Sequence, residues 1–145
     1  MSTRCLIGIL KKDGKEKYVD YIYCHHDGYI EYVGKILNDN YNNKDLIYKL
    51  LNLGDLSVLG TEPISNPNYW KDLKENYNEN YCIAYKDRGE TNTDYKTCKL
   101  NEYYNCAKES WAEYIYLFKN DKWYYREIGT RAYKDLGLKI KEYNI

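Results

Sequence analysis

The sequence has little arginine, proline or phenylalanine: four Arg stand against eighteen Lys, and it holds two Pro and one Phe beside twenty Tyr. It has no apolar run of about eighteen residues, so no membrane-spanning helix is expected. The opening MSTRCLIGIL is too short in apolar residues for a secretory signal. Charge of one sign does not dominate, because 22 basic residues balance 22 acidic ones. Proteins that hold duplex nucleic acid nonspecifically carry a basic excess, so that class is excluded, as is recruitment to a membrane by a charged tail.

The five cysteines (Cys5, Cys24, Cys82, Cys98 and Cys106) include no pair at the two- to four-residue gap of a zinc knuckle, and there are two histidines. No metal or cofactor is therefore expected, and reduced thiols in a cytoplasm are the expectation. Buried thiols of this kind act as small hydrophobes. The phosphate-cradling G-x-x-x-x-G-K-S/T loop, the G-x-G-x-x-G fingerprint, H-E-x-x-H and G-x-S-x-G are all missing. Without any of these the sequence specifies no reaction, and a noncatalytic protein is expected.

The chain's 145 residues suit one domain with a core of its own. Tyr, Asn, Lys and Ile share AT-rich codons, so the abundant Tyr is read as genome composition, with Tyr replacing Phe and Leu at half-buried positions. Base stacking on tyrosine rings is the functional alternative. The scarcity of Arg makes Arg4, Arg88, Arg126 and Arg131 informative, since a fixed guanidinium fork suits anions.

Two β-type runs, 4–10 and 18–24, flank a charged stretch with Asp13-Gly14, which reads as a hairpin. Ile30, Val33, Ile36, Leu37 and Tyr41 recur at helical spacing, giving a helix over 30–40. Asn43 caps a second helix whose inner face carries Leu46, Ile47, Leu50 and Leu51. Asn66-Pro67 opens a third, with Trp70, Leu73 and Tyr77 on one side. Residues 81–87 read as a strand, and Leu100, Tyr103, Tyr104 and Ala107 share a short helix. Residues 111–118 and 123–128 form a second hairpin around Lys119-Asn120-Asp121-Lys122. Leu138 and Ile140 alternate with Lys139 and Lys141, which suits an edge strand. The expected fold is a single α+β domain over 1–145, an antiparallel sheet with N-terminal and C-terminal hairpins covered by two to four helices. Its core is 1–128, and 129–145 is a variable tail.

Three places gather polar chemistry. At Cys24-His25-His26-Asp27-Gly28-Tyr29 a strand gives way to a helix whose first N–H groups attract anions. There His25 titrates nearest neutral pH, Asp27 can orient it, and Tyr29 flanks it. Asp27 equally suits a helix cap and Gly28 a turn. At Asp87-Arg88-Gly89-Glu90, Arg88 can grip an anion while Asp87 and Glu90 accept from hydroxyls, although such loops are commonly just solvated. Arg4 stands at the entrance of the first strand, as an anion ligand or a snorkelling side chain. The expected ligand site is thus Arg4, His25, Asp27, Tyr29, Asp87, Arg88 and Glu90, lining one cavity.

Met1-Ser2-Thr3-Arg4 with Ile7-Gly8-Ile9, Tyr23-Cys24-His25-His26-Asp27-Gly28-Tyr29 and Val33-Gly34-Lys35 resemble a family of small proteins from phages, prophages and bacterial mobile elements. The resemblance continues through 53–60, Lys86-Asp87-Arg88-Gly89-Glu90, 113–118 and 122–125, and spans about residues 1–125. Residues 66–80 and the tail after Ile128 fall outside it. It implies that His26 stands where the family carries a bulky aromatic, leaving His25 as the functional histidine. It also implies a bacterial cytoplasm and an accessory role against host defence. The leading expectation is a binder of an anionic small molecule, such as a cyclic or ADP-ribose-type nucleotide. The alternatives are an inhibitor that docks on a host defence protein through Trp70, Tyr77 or the Tyr103-Tyr104 pair, and a small hydrolase using His25. A homodimer is the remaining partner expectation.

Overall fold

The computed structural model describes residues 2–145. Strands β1 (Cys5–Asp13) and β2 (Glu16–Cys24) pair antiparallel, Cys5 opposite Cys24 and Asp13 opposite Glu16. That register leaves Gly14 and Lys15 as a two-residue turn, with Gly14 at φ +62°. A glycine in that first central position matches the twist of the flanking strands. From Cys5 to Ile9, strand β1 is buried on both faces. Cys5, Ile7 and Ile9 enter one core and Leu6 the other, which is why its sequence reads as a continuous apolar run.

After β2 the chain makes a wide π-helical turn (Ile30–Gly34) that runs into α1 (Lys35–Asn40), and α2 (Lys44–Leu51) follows. The helix expected over 30–40 thus begins with an opened turn. Asn43 caps α2 as expected, its side chain accepting the Leu46 N–H at 2.9 Å, and Ile47, Leu50 and Leu51 are buried. Next come β3 (Leu56–Val58), β4 (Glu62–Ser65) and β5 (Tyr81–Ala84), then β6 (Lys96–Lys99), α3 (Tyr103–Glu109), β7 (Tyr114–Lys119) and β8 (Lys122–Glu127). Asn120 and Asp121, both at positive φ, close the second hairpin, and β9 (Lys134–Asp135) leads into α4 (Leu136–Tyr143).

The fold is a single α+β domain with a mixed sheet of nine strands in the order β4-β5-β3-β2-β1-β7-β8-β9, with β6 against β2. Both expected hairpins pair antiparallel, but they meet through a parallel pairing, Cys5 beside Tyr114 and Ile9 beside Phe118. β2 with β3 and β4 with β5 are parallel too. Parallel neighbours need a crossover, and here the chain between β1 and β7 supplies most of the helical covering. One core packs the 30–51 helices and α4 on one face of the sheet, and a smaller one packs α3 on the other. Among the described residues no helix is long and apolar enough to cross a membrane.

Four local expectations give way. Residues 66–80 hold only a 3-10 turn (Tyr69–Lys71), with Leu73 and Tyr77 exposed. The Asp72 carboxylate accepts the Lys74 and Glu75 N–H groups, and the Asn76 amide donates to Asn68 O, local bonds that compete with a helix. The strand expected over 81–87 ends at Ala84, where a 3-10 turn (Tyr85–Arg88) begins. Trp111 lies before the strand it was expected to open. The edge strand expected at Leu138 and Ile140 is α4. The Asp135 carboxylate caps it by accepting the Leu138 N–H at 3.0 Å, and Leu136 and Ile140, four residues apart, are buried together.

A strand would put Leu138 and Ile140 on one face, whereas the helix separates them at 61% and 4% exposure. Ile140→Ala is therefore expected to cost about 2–4 kcal/mol in urea unfolding. Leu138→Ala is expected to stay within about 0.5 kcal/mol of wild type in the same measurement.

Candidate functional site

The pairing registers bring the start of β1 and the ends of β2 and β5 to one end of the sheet. Cys24 lies beside both Cys5 and Leu56, and Leu56 faces Ala84. Three strand spacings of about 4.8 Å separate Cys5 from Ala84, roughly 14 Å in all. Arg4, His25 and the 85–90 loop therefore share one edge.

Arg4 is half-buried, and its carbonyl accepts the Glu113 N–H at 2.8 Å. Its guanidinium lies beside the Tyr23 hydroxyl, offsetting part of the rise that burial gives this phenol. Tyr23 Oη is in turn 2.6 Å from His25 Nδ1. Burial, then the neighbouring His26 and Arg4, lower the His25 pKa below 6.5. The imidazole is thus mostly neutral at pH 7, and its Nδ1 shares a hydrogen bond with the Tyr23 hydroxyl whose donor depends on the tautomer. His26 meets His25 edge-on at 4.6 Å, with its Nδ1 2.9 Å from Ser2 Oγ.

Asp27, not Gly28, takes the left-handed conformation, at φ +57°. It does not cap the following turn, whose N-cap is Tyr29 without a side-chain bond; instead its carboxylate accepts the Tyr29 hydroxyl at 3.4 Å. Gly28 is needed for room. A methyl there would lie 2.8 Å from Cys5 Cβ and 2.9 Å from Thr3 O.

Within the Asp87–Glu90 loop, Arg88 pairs with Glu90. The Arg88 guanidinium sits 4.5 Å from the Trp70 ring and 5.2 Å from the Tyr85 ring, and donates to Glu90 Oε2 from Nε at 2.9 Å and Nη2 at 2.6 Å. Trp70 is held by its indole N–H on Ala84 O at 3.0 Å, so the 66–80 segment supplies the platform for Arg88. One carboxylate oxygen of Asp87 is buried without a partner among the described residues.

An open cleft of about 670 Å³ lies where the start of β1, the end of α3 and the ends of β7 and β8 meet. Arg4, Tyr29, Lys108, Trp111, Glu113, Tyr114 and Glu127 are in its walls, two cations and two carboxylates around three aromatic rings. Its volume suits a small organic ligand. Of the seven residues expected to line one cavity, Arg4 and Tyr29 do so here. His25 and Asp27 stand behind them in contact through Tyr23 and Tyr29, and Asp87, Arg88 and Glu90 lie further along the sheet edge.

Lys108, Trp111, Glu113 and Glu127 were not legible as site residues. Trp111 carries the clearest structural signal. Helix α3 ends in a Schellman motif, the Trp111 N–H donating to Lys108 O at 3.1 Å and the Ala112 N–H to Ala107 O at 3.0 Å. The left-handed position of that motif usually holds Gly, yet here it is Trp111, at φ +61° and 79% exposed. A side chain in this conformation costs about 1–2 kcal/mol. Little burial offsets that strain. Non-glycine strain of this kind clusters at functional sites.

Comparison with known proteins gives no match to a family model, a curated protein or a solved structure.

The depressed His25 pKa carries a sign for stability. The unfolded chain takes up the proton first, so this contribution is complete above pH 6.5 and is lost as pH falls from there through the lower folded-state pKa. An NMR titration is expected to place the His25 midpoint below 6.5, and Arg4→Gln to move it upward. Trp111→Gly is expected to stabilise the fold by about 0.5–1 kcal/mol in urea unfolding, strain relief exceeding the added glycine entropy.

Proposed function

We propose that the chain is a noncatalytic binding protein that holds an anionic small molecule in the cleft at the start of β1. The observation that carries this reading is Arg4. Arg88 is paired with Glu90, and Arg126 lies 3.8 Å over the Tyr104 ring and donates twice to Thr130 O. Neither Arg4 nor Arg131 forms a salt bridge among the described residues, and of the two only Arg4 stands in the cleft wall, with Lys108 nearby. Its neighbour His25 is neutral, so the local positive field belongs to the guanidinium, the group best suited to a phosphate or carboxylate.

The likeness of its segments to small phage and prophage proteins supports a setting in which such binding withholds a nucleotide signal from a bacterial defence. That step is analogy of context. A protein-docking inhibitor is the second reading, favoured by Leu73 and Tyr77, which are exposed on the 66–80 segment. Of the earlier candidate anchors, Tyr103 is fully buried and Trp70 is occupied by Arg88.

Thermal melts with inorganic phosphate, ribose 5-phosphate and a panel of nucleoside phosphates test the cleft reading. A ligand at about 100 times its Kd adds about 2.7 kcal/mol, or about 5–10 °C in Tm for a chain of this size. The shift is expected to vanish in Arg4→Ala and to persist in Arg88→Ala. No shift with any of these anions overturns the cleft proposal. Capture of a host protein that is lost with Tyr77→Ala and kept with Arg4→Ala would put the docking reading in its place.

A further inference from the structure

Trp111 gives the cleft a feature that a plain anion site does not need. Of the three indoles, Trp123 is buried against Phe118 and Trp70 lies under Arg88, while Trp111 stands out in solvent in the wall shared with Arg4 and Lys108. Its backbone occupies a position where glycine is favoured, so helix termination does not account for its presence. An exposed ring face is a surface on which a planar ligand stacks.

The remaining wall residues narrow the ligand. Glu113 and Glu127 are exposed carboxylates of the same cleft. They repel a compact polyanion and accept from N–H or O–H groups. A ligand that satisfies the whole wall carries an anionic group at one end and a flat ring bearing hydrogen-bond donors at the other.

Resting on the anion-binding reading above, we infer that Trp111 is a stacking platform and that the ligand is a nucleoside phosphate with an amino-bearing base. Its phosphate meets Arg4 and Lys108, its base lies on the indole, and the exocyclic amine or a sugar hydroxyl donates to Glu113 or Glu127. The cleft then discriminates among anions by their base.

Isothermal titration of the full chain with adenosine monophosphate, uridine monophosphate, ribose 5-phosphate and inorganic phosphate tests this, with indole fluorescence recorded in parallel. Stacking is worth about 1–3 kcal/mol per base, so adenosine monophosphate is expected to bind about fivefold or more tighter than ribose 5-phosphate. It is also expected to bind tighter than uridine monophosphate and to quench the exposed indole. Trp111→Ala is expected to erase the advantage over ribose 5-phosphate, and Trp111→Phe to restore part of it. Equal binding of adenosine monophosphate and ribose 5-phosphate by wild type, or a base preference that survives Trp111→Ala, overturns the stacking inference. Either result leaves the anion site standing if Arg4→Ala still abolishes binding. If none of the four probes binds, both proposals fall.

Discussion

The close approach of Gly28 to the first strand is the constraint on which the site end of the molecule depends. Only a residue without Cβ fits there. Its N–H donates to Thr3 O at 2.8 Å, and its carbonyl accepts the Tyr116 hydroxyl at 2.7 Å. Three segments distant in sequence are thereby locked: the entrance of β1, the turn after β2 and the middle of β7. The parallel pairing of β1 with β7 runs beside this lock, and the Glu113 N–H on Arg4 O extends it by one residue. The same contacts that hold the sheet's centre therefore set the position of the Arg4 backbone in the cleft.

Tyrosine does in this core what phenylalanine cannot. Tyr41, Tyr103 and Tyr116 are fully buried, and their hydroxyls donate to Gly60 O at 2.8 Å, Tyr116 O at 2.9 Å and Gly28 O at 2.7 Å. Burial pushes all three phenol pKa values up, so each remains a protonated donor. Stranding a buried carbonyl costs about 1–3 kcal/mol. A codon bias accounts for the supply of tyrosine but not for these positions. They join elements far apart in sequence: Tyr41, at the end of α1, bonds the chain just before β4, and Tyr103 bonds α3 to β7.

What was legible in the sequence is what short-range chemistry decides. Gly14 and the Asn120-Asp121 pair announce their turns because the flanking strands demand positive φ there, and Asn43 announces α2 because its side chain answers a free N–H. The parallel pairing that joins the hairpins left no local mark, since its partners lie about a hundred residues apart. At α4 a two-residue alternation imitated a strand, and the longer-range pairing of Leu136 with Ile140 overrode it. Trp111 was absorbed into the neighbouring strand because aromatic residues favour strands, although Lys108-Glu109-Ser110 before it is a helix end.

The expected site drew both on the scarcity of arginine and on the charge-dense Asp87–Glu90 cluster, and a cation flanked by acids in sequence tends to find its partner there. Arg88 did, two residues away on Glu90, and Arg126 found a carbonyl four residues away at Thr130. Arg4 has no acid nearby in sequence and meets Glu113 through the backbone, so its guanidinium stands in the cleft wall beside the Tyr23 hydroxyl without a salt bridge among the described residues. The same logic applies to Trp111, where a rule of helix termination is broken with nothing in the fold to compensate. Local rules broken without a folding gain concentrate at functional sites. An arginine without a partner acid among the described residues and a tryptophan at a glycine position, independent departures of this kind, fall in the wall of one cleft, and their coincidence is the observation on which the cleft proposal rests.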